Sequence, residues 1–242
     1  MSLRTDHRPY FIKRLDVAFQ QWYADYFLRP QFDFLGKGTL FLRPWDVEVF
    51  GWPIMLDDYA NVIATPDKRV RLTVWSNMEE AGCIRIGKYA LICPGVRISS
   101  AQEIIIGDSC MLAQSVYITD SDWHDIYDRG ISIGRKAAVR VGDNVWIGDS
   151  AIVCKGVTIG DNSIIGAGSV VIRDIPPNVV AAGNPADVVR KLDHERHIGT
   201  RAEWFADPEK LASQFDVIDR EILKGNTILG WIRSILLPRR GD

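Results

Sequence analysis

The sequence predicts a mainly β protein whose chain is wound into triangular coils of short parallel strands. Between Val141 and Pro176 an aliphatic residue recurs every six positions, and glycine follows it in four of the six units. A period of six fits neither an isolated helix nor alternating strands, but it fits one short strand per side and three units per turn. The repeat therefore sets the fold before any other feature.

Two further positions in each unit keep the same rhythm. The residue four places after the aliphatic one is small or β-branched, as an inward position between layers requires: Val145, Ala151, Val157, Ser163 and Ser169. Glycines occupy the corner position, where a side chain is penalised and a tight turn often needs a positive φ: Gly142, Gly148, Gly160 and Gly166. We expect the Asp and Asn residues that follow to form the turns.

The composition excludes several classes of protein. The chain has 242 residues and a formal net charge of -2, so no basic excess points to nucleic acid. No apolar run reaches the ~18 residues that span a bilayer. The four cysteines form no C-x-x-C pair, and no signal peptide precedes them: Cys83, Cys93, Cys110 and Cys154. We therefore expect free thiols in a reducing cytoplasm, and a protein that is soluble or peripheral to a membrane.

The N-terminal segment from Arg8 to Leu28 predicts an amphipathic helix, with an aromatic stripe that we expect to dock on the body of the protein. A degenerate six-residue rhythm starts near Leu56 and becomes clear at Ile86, with a slip of two residues at Ile104 that predicts a bulge or a longer corner. We divide the chain into a cap of helix and short strands at 1–55, a coil at 56–178 and a helical extension at 179–242.

The rhythm fails between Ile118 and Val141. Twenty-three residues lie where three units would take eighteen, and the segment T-D-S-D-W-H-D-I-Y-D-R-G has no repeating aliphatic residue. We interpret residues 119–140 as a loop extruded from a corner of the coil. Long loops on rigid scaffolds often carry function, so chemistry is expected here.

The coil ends after Pro176 and Pro177, and Gly183 to Pro185 turn the chain away. We expect a new helix-like run from Val188 to Leu192, and helices at Pro208 to Leu223 and Ile228 to Leu237. The last of these is aliphatic and has cationic flanks: Arg233, Arg239 and Arg240. It suits a membrane surface, but packing on its own subunit or on a neighbour is the favoured interpretation.

The repeats, with I-P-P-N-V-V-A-A-G-N-P-A-D-V-V-R at Ile175 to Arg190, resemble the hexapeptide-repeat O-acetyltransferases of the galactoside, maltose and nodulation-factor type. The resemblance is strong from about Ile86 to Lys191 and weaker from Leu56. It implies a left-handed parallel β-helix, acetyl-CoA as co-substrate, and a homotrimer with active sites between neighbouring coils. The leading hypothesis is acetyl transfer to a sugar hydroxyl, and the C-terminal tail suggests a sugar of a polysaccharide or a lipid-linked glycan.

Acetyl transfer to a hydroxyl needs a base and donors for the oxyanion. Of four histidines, only His124 lies in the extruded loop, and it matches the family's catalytic histidine. An imidazole ordinarily titrates near neutral pH, so it can take the hydroxyl proton and pass it to the CoA thiolate. Asp120, Asp122 and Asp125 flank it, and we favour Asp122 as its support.

Residues beside His124 are candidates for acceptor contacts: Trp123, Asp125, Tyr127 and Arg129. Aromatic rings stack on sugar faces, and arginine binds carboxylate or phosphate groups. Alternatively, the two rings only anchor the loop on the coil. The acceptor-binding asparagine of family members has no match, since Ser99, Ser100 and Gln102 occupy that region, and this leaves the sugar open.

The resemblance also implies contacts to coenzyme A from Trp146, Asp149, Ala167, Ile172 and Arg190. Small corner residues would let the pantetheine arm approach the main chain, namely Gly148, Ala167 and Gly168. Lys191 or Arg173 would help Arg190 to hold the phosphates. Two positions depart from the family: Asp149 replaces a common serine, and Asp187 replaces Arg or Lys.

Three other functions are alternatives to O-acetyl transfer. The γ-type carbonic anhydrases share the coil but need three histidines around zinc, and the repeats hold no histidine besides His124. We therefore expect no metal. N-acylation of an amino sugar would use the same base. A non-catalytic scaffold predicts nothing special at His124.

Overall fold

The computed structural model describes residues 6–75, 82–193 and 195–239. Contacts divide the chain into two units. The coil unit is Tyr23–Glu203, and the helical unit combines Met1–Trp22 with Trp204–Asp242.

The coil unit contains twenty short strands within the described residues. In chain order they are β1 (Phe34–Leu35), β2 (Leu40–Leu42), β3 (Val47–Phe50), β4 (Ile54–Leu56), β5 (Asn61–Ile63), β6 (Val70–Val74), β7 (Ile84–Ile86), β8 (Leu91–Ile92), β9 (Arg97–Ser100), β10 (Ile104–Ile106), β11 (Met111–Leu112), β12 (Tyr117–Thr119), β13 (Val139–Val141), β14 (Trp146–Ile147), β15 (Ile152–Val153), β16 (Thr158–Ile159), β17 (Ile164–Ile165), β18 (Val170–Val171), β19 (Val179–Gly183) and β20 (Ala186–Lys191).

The strands form three sheets, and the chain visits them in turn. Sheet A contains β1, β4, β7, β10, β13 and β16; sheet B contains β2, β5, β8, β11, β14, β17, β19 and β20; sheet C contains β3, β6, β9, β12, β15 and β18. Neighbouring strands from β1 to β19 are parallel and in register, as in Ile104↔Val139 and Ile106↔Val141. Each turn of the coil therefore has three sides and three corners, which we name A–B, B–C and C–A.

The axis of the coil is filled as the repeat predicts. The recurring aliphatic residues and those four places later are almost completely buried: Val141, Val145, Ile147, Ala151, Val153, Val157, Ile159, Ser163, Ile165, Ser169 and Val171. A fully buried valine or isoleucine side chain contributes about 1.5–3 kcal/mol relative to an exposed one. The predicted inward positions are therefore confirmed.

The corner glycines serve a different purpose from the one that we expected. Positive φ angles fall two residues later, at Asn144 (55°) and Ser150 (57°), and the glycines themselves do not have them. A Cβ atom on Gly160 would instead lie 2.4 Å from the backbone nitrogen of Pro177 in the next coil. The side-chain penalty was predicted correctly, but its cause is close stacking of coils rather than the turn conformation.

Two segment predictions need correction. The run from Val188 to Leu192 is mostly strand β20, because a turn at Gly183 to Pro185 folds it back antiparallel on β19 at the edge of sheet B. Paired strands also begin at Phe34, well before the expected start near Leu56. The domain boundaries at residues 55 and 178 themselves remain a prediction.

The helices are α1 (Tyr10–Tyr23), α2 (Arg201–Trp204), α3 (Pro208–Ile222) and α4 (Ile228–Leu236), so both predicted C-terminal helices are confirmed. Within the helical unit, Lys13 Nζ lies 2.5 Å from Asp219 Oδ1, and Tyr10 hydrogen-bonds Asp216. Aromatic residues of α1 are partly exposed, with Trp22 52% accessible, and the expected docking of the stripe remains a prediction. No helix among the described residues is long and apolar enough to cross a bilayer.

Candidate functional site

A long segment leaves the coil at a C–A corner. It comprises residues 120–138, between the end of β12 and the start of β13, and we call it the site loop. Its two ends are held together by an antiparallel bridge between Ser121 and Lys136, and by the Ala137 N–H, which donates to the Asp120 carbonyl at 2.9 Å. The loop therefore leaves and returns at one point of the coil, as the broken rhythm predicts.

Asp120 anchors the start of the site loop. Its carboxylate is completely buried and accepts hydrogen bonds from Ser100 Oγ at 2.6 Å and from the backbone N–H groups of Ala101, Gln102 and Glu103 at 2.7–2.9 Å. These donors form the C–A corner of the preceding coil, just before the predicted slip at Ile104. Asp120 is therefore a structural residue, and the four donors offset the free-energy cost of burying its carboxylate.

His124 is exposed in the site loop, and one of its ring nitrogens is already bound. Its Nδ1 lies 3.1 Å from the carbonyl oxygen of Arg129. A carbonyl only accepts, so Nδ1 must carry the proton in the neutral ring, and Nε2 then has the free lone pair. The main chain thus sets the tautomer that a general base requires.

Asp122 has a different partner from the one that we expected. Its Oδ1 accepts a hydrogen bond from Lys155 Nζ at 2.7 Å, and Lys155 lies at the C–A corner one coil further on. Both side chains line a cavity of about 200 Å³ together with His124, Asp125, Ile126 and Arg135. Asp122 is therefore beside the imidazole, while the Arg129 carbonyl orients the ring; the supporting role of Asp122 remains a prediction.

Asp125 closes a tight turn within the site loop. Its carboxylate accepts the N–H groups of Tyr127 at 2.8 Å and Asp128 at 2.9 Å. The hydrogen bond from Asp128, followed by the one from Tyr127, lowers the pKa of Asp125 below its usual value. This turn brings the chain back so that the Arg129 carbonyl reaches His124.

Gly134 allows the two sides of the site loop to touch. A Cβ atom there would lie 2.5 Å from the carbonyl oxygen of His124, and the Gly134 N–H donates to the Asp122 carbonyl at 2.7 Å. Any side chain at this position would push the two strands of the loop apart. The sequence marks the position only by the presence of glycine in I-S-I-G-R.

The predicted acceptor residues differ in their surroundings. The Trp123 indole donates from Nε1 to Tyr117 Oη at 3.0 Å, and its ring meets Trp75 edge to face with centroids 6.2 Å apart. Tyr127 is 89% exposed. The Arg129 side chain is also exposed, and only its carbonyl contacts His124. Trp123 thus anchors the loop on the coil, while Tyr127 and Arg129 point to solvent.

The residues expected to bind coenzyme A lie elsewhere on the coil. Trp146 is on β14 in sheet B, and Gly148, Asp149, Ala167 and Gly168 follow at the B–C corners of two successive coils. The Gly168 N–H donates to the Asp149 carbonyl at 2.7 Å, so these corners stack directly. The structure therefore gathers this group along one edge.

The remaining predicted residues are more scattered. Arg190 and Lys191 are exposed on β20 of sheet B, whereas Ile172 and Arg173 follow β18 of sheet C. Arg173 lies 3.6 Å from Asp187, the acidic residue that departs from the family pattern. Arg173 thus faces a carboxylate already, and Arg190 and Lys191 are the more accessible cations.

Sequence reasoning missed Lys155 and Arg135, which line the cavity beside His124. The position of Lys155 offered a signal, because it lies at the C–A corner that follows the one where the rhythm breaks. Within the described ranges, no group of three His, Cys, Asp or Glu side chains is arranged to hold a metal ion.

Three parallel sheets around an aliphatic axis, built from a six-residue repeat, define a left-handed β-helix of the hexapeptide-repeat class. Residues 138–173 match the family described as bacterial transferase hexapeptide (six repeats). This segment therefore resembles the hexapeptide family of bacterial transferases.

Curated relatives carry the names of acetyltransferases. Galactoside O-acetyltransferase of Escherichia coli is 39% identical over 117 residues, which are 47% of this chain and 57% of that protein. A putative acetyltransferase of Saccharomyces cerevisiae is 48% identical over 96 residues, which are 39% of this chain and 49% of that protein. The chain spans about half the length of these relatives.

Among solved structures, a mutant of AntD, an N-acyltransferase from Bacillus cereus in complex with dTDP and coenzyme A, is similar in fold. The superposition has a TM-score of 0.50 and covers 78% of this chain and 96% of that one, at 15% sequence identity. A likeness at this identity supports the fold alone.

Proposed function

We propose that the chain is an acetyl-CoA-dependent O-acetyltransferase that moves an acetyl group to a hydroxyl of a sugar, with His124 as general base. One observation carries this proposal: the Arg129 carbonyl binds Nδ1 of His124 at 3.1 Å, which leaves Nε2 as a proton acceptor on an exposed loop. The transferase type of the repeat and the acetyltransferase names of the relatives support the same reaction class.

The proton balance of the reaction suits a single imidazole. As the acceptor oxygen forms the new C–O bond, its proton passes to Nε2 of His124. The imidazolium then donates this proton to the sulfur as the thioester C–S bond breaks, and the Arg129 carbonyl accepts from Nδ1–H throughout. Acetyl-CoA supplies the acetyl group, and coenzyme A leaves as the free thiol. General base catalysis typically contributes about 10²–10⁴-fold.

The stacked B–C corners fit an extended arm. A Cβ atom on Gly168 would meet nothing within 4 Å, so the space beside this corner is open. Gly148 and Ala167 add no bulk, and Trp146 is 47% exposed nearby in sheet B. We propose that Gly148, Asp149, Ala167 and Gly168 line the pantetheine arm, and that Arg190 and Lys191 hold the phosphates.

We infer that the active form is a homotrimer in which two chains complete each site. In a triangular coil the side opposite the C–A corner is sheet B, so His124 and the outward side chain of Trp146 face opposite directions. A second copy can bring its own sheet B and B–C corner to His124. Closed rings of identical chains are a common way to form such sites.

Release of the CoA thiol tests the reaction directly. Purified protein is incubated with acetyl-CoA and a panel of neutral, acidic and amino sugars, beside His124→Ala and the control His197→Ala, which alters an exposed histidine bound to Glu203. We expect His124→Ala to lower kcat/KM about 10²–10⁴-fold. Failure of the wild type to turn over acetyl-CoA with every acceptor would contradict the proposal. Hydroxylamine separates O-acetyl products, which it cleaves, from the amides of an N-acyltransferase.

Mixed trimers test the shared site. His124→Ala and Trp146→Ala variants, each inactive or weak alone, are unfolded together and refolded as a mixture. If the two groups come from different chains, about a quarter of the sites regain both of them. A mixture no more active than its separate components would show that one chain holds the whole site.

We also propose that the C-terminal tail contacts a membrane and that the enzyme works in the cytoplasm, which its free cysteines favour. In α4, Leu229 is 80% and Leu236 70% exposed. Residues 222–241 hold four basic residues and no acidic one, although the chain has a net charge of -2. An apolar helix face with cationic flanks suits an anionic lipid surface.

Co-sedimentation with vesicles tests the tail. The wild type should bind vesicles rich in phosphatidylserine more than phosphatidylcholine vesicles, and Leu229→Glu with Leu236→Glu should abolish the difference. Binding that is equal in the wild type and the double variant would remove the membrane role. A shift of oligomeric state in the variant would favour packing on a neighbouring copy.

A further inference from the structure

We propose that the acceptor is an extended carbohydrate chain, whose sugars beyond the acetylated one stack on a row of aromatic rings beside His124. The row consists of Phe50, Trp75 and Trp123, and we call it the aromatic row. This inference rests on the proposed acetyl transfer to a sugar and specifies the size of the acceptor.

The rings form a chain of contacts that ends at the site loop. Phe50 is the last residue of β3, Trp75 directly follows β6, and Trp123 lies in the loop after β12. All three rings are therefore near the C-terminal ends of strands of sheet C. The ring centroids of Phe50 and Trp75 are 5.3 Å apart, and those of Trp75 and Trp123 are 6.2 Å apart. The row therefore joins the N-terminal coils to the catalytic loop along one edge.

Two rings of the row are partly exposed. Phe50 is 53% and Trp75 47% accessible. Trp123 is held in place, because its indole N–H donates to Tyr117 Oη. Exposed rings with fixed orientations bind at a low cost in conformational entropy, which suits the recognition of a flat apolar sugar face.

The groups around the row favour carbohydrate over protein or lipid. On the same face of sheet C, Arg71 pairs with Glu48 at 3.1 Å, and the Arg97 guanidinium lies 3.9 Å from the Tyr117 ring centroid. Buried cores of protein interfaces are depleted of charged residues, and acyl chains do not solvate them. Sugars combine apolar faces with hydroxyl edges, which match a surface of rings and charged groups.

The length of the row sets the size of the acceptor. The chain of rings spans two centroid separations, 5.3 Å from Phe50 to Trp75 and 6.2 Å from Trp75 to Trp123. Three rings in a row offer more surface than a single pyranose ring covers. A monosaccharide can therefore reach His124 without touching Phe50, whereas an oligosaccharide can touch both Phe50 and Trp75.

Kinetics with acceptors of two lengths test the row. The sugar that the wild type acetylates is supplied as a monosaccharide and as an oligosaccharide, to wild type, Phe50→Ala, Trp75→Ala and the control Phe34→Ala, which removes a similarly exposed ring of sheet A. Ring stacking predicts a KM for the oligosaccharide that rises about 3–10-fold in Phe50→Ala and Trp75→Ala. In Phe50→Ala, which does not touch the site loop, the monosaccharide kinetics and the oligosaccharide kcat should stay unchanged.

Several outcomes would contradict the proposed role of the aromatic row. One is equal use of both acceptors by the wild type; another is an unchanged oligosaccharide KM in Phe50→Ala, which does not touch the site loop. A change of oligomeric state in Phe50→Ala would assign the row to contact between copies. Binding of the wild type and Phe50→Ala to an oligosaccharide array, without acetyl-CoA, reports on the row even if no acetyl transfer is found.

Discussion

The coil and the site loop are held together by different kinds of contact. In the coil, backbone N–H groups at the corners donate to the main chain of the next coil, as in Gly142 to Ile159 and Gly148 to Ile165, both at 2.8 Å. The site loop adds side-chain contacts to the coil, such as the Asp122 bond to Lys155 and the Asp120 bond to Ser100. The coil can therefore accept any residue that fits the pattern, whereas the loop depends on particular residues.

This difference explains how a rigid repeat can support chemistry. Backbone bonds and buried aliphatic residues fix the corner from which the loop leaves. The loop then places an imidazole in the same cavity as Lys155 of the coil. Substitutions should therefore separate into those that unfold the coil and those that change only the loop.

The largest effect is expected in the coil axis. Ile147 is completely buried, so Ile147→Ala should lower the free energy of unfolding by about 2–5 kcal/mol, measured by urea denaturation. Ile131→Ala, in the site loop and 48% exposed, should change it by less than about 0.5 kcal/mol. Similar losses in both variants would mean that the loop contributes to the core.

Asp120 should show the next largest effect, because it joins the two regions. Asp120→Ala leaves the donors of Ser100 and three backbone N–H groups without their acceptor, at a cost of about 2–4 kcal/mol in unfolding free energy. The control Asp128→Ala removes a carboxylate that accepts only in an exposed turn, at Gly130. If the two variants are equally stable, the anchor at the corner is not needed.

Lys155 should affect activity more than stability. Its side chain is 30% exposed and that of Asp122 36%, so Lys155→Gln should cost at most about 1 kcal/mol in unfolding free energy. The loss of its charge leaves Asp122 unpaired beside His124, and we expect kcat to fall while the KM for acetyl-CoA stays constant. Lys37→Gln, at an A–B corner, is the control. An unchanged kcat would show that the charge of Lys155 has no role in the reaction.

The smallest effect concerns the turn at Asp125. Because the pKa of this carboxyl is lowered by the N–H groups of Asp128 and Tyr127, the turn is stabilised above the ordinary pKa of 3.8. That stabilisation is lost as the pH falls through the lowered value. Amide proton shifts of Tyr127 and Asp128 should therefore titrate below pH 3.8, and Asp125→Asn should abolish this change. A titration at the ordinary value would show that the turn does not hold the carboxylate.

The sequence was a reliable guide to the axis of the coil and to the place of the loop. The same six-residue count that predicted Val145 and Ala151 as inward also stopped at Ile118, and it thereby located His124. It was less reliable at the corners, because glycine serves both a positive φ and close stacking. It also gave Val188 to Leu192 as helical, because a short apolar run does not show that a hairpin folds it back on β19.

The sequence by itself determined the three-sided coil, the break in its rhythm and the histidine within that break. These depend on spacing along the chain, which a repeat makes explicit. The folded structure adds three features that the spacing does not contain. The Arg129 carbonyl orients His124, Lys155 binds Asp122, and Trp146 faces away from His124. The sequence does not reveal these contacts because every residue has a backbone carbonyl, so nothing marks the one that binds His124. A lysine at a corner likewise fits the repeat whichever side chain it contacts.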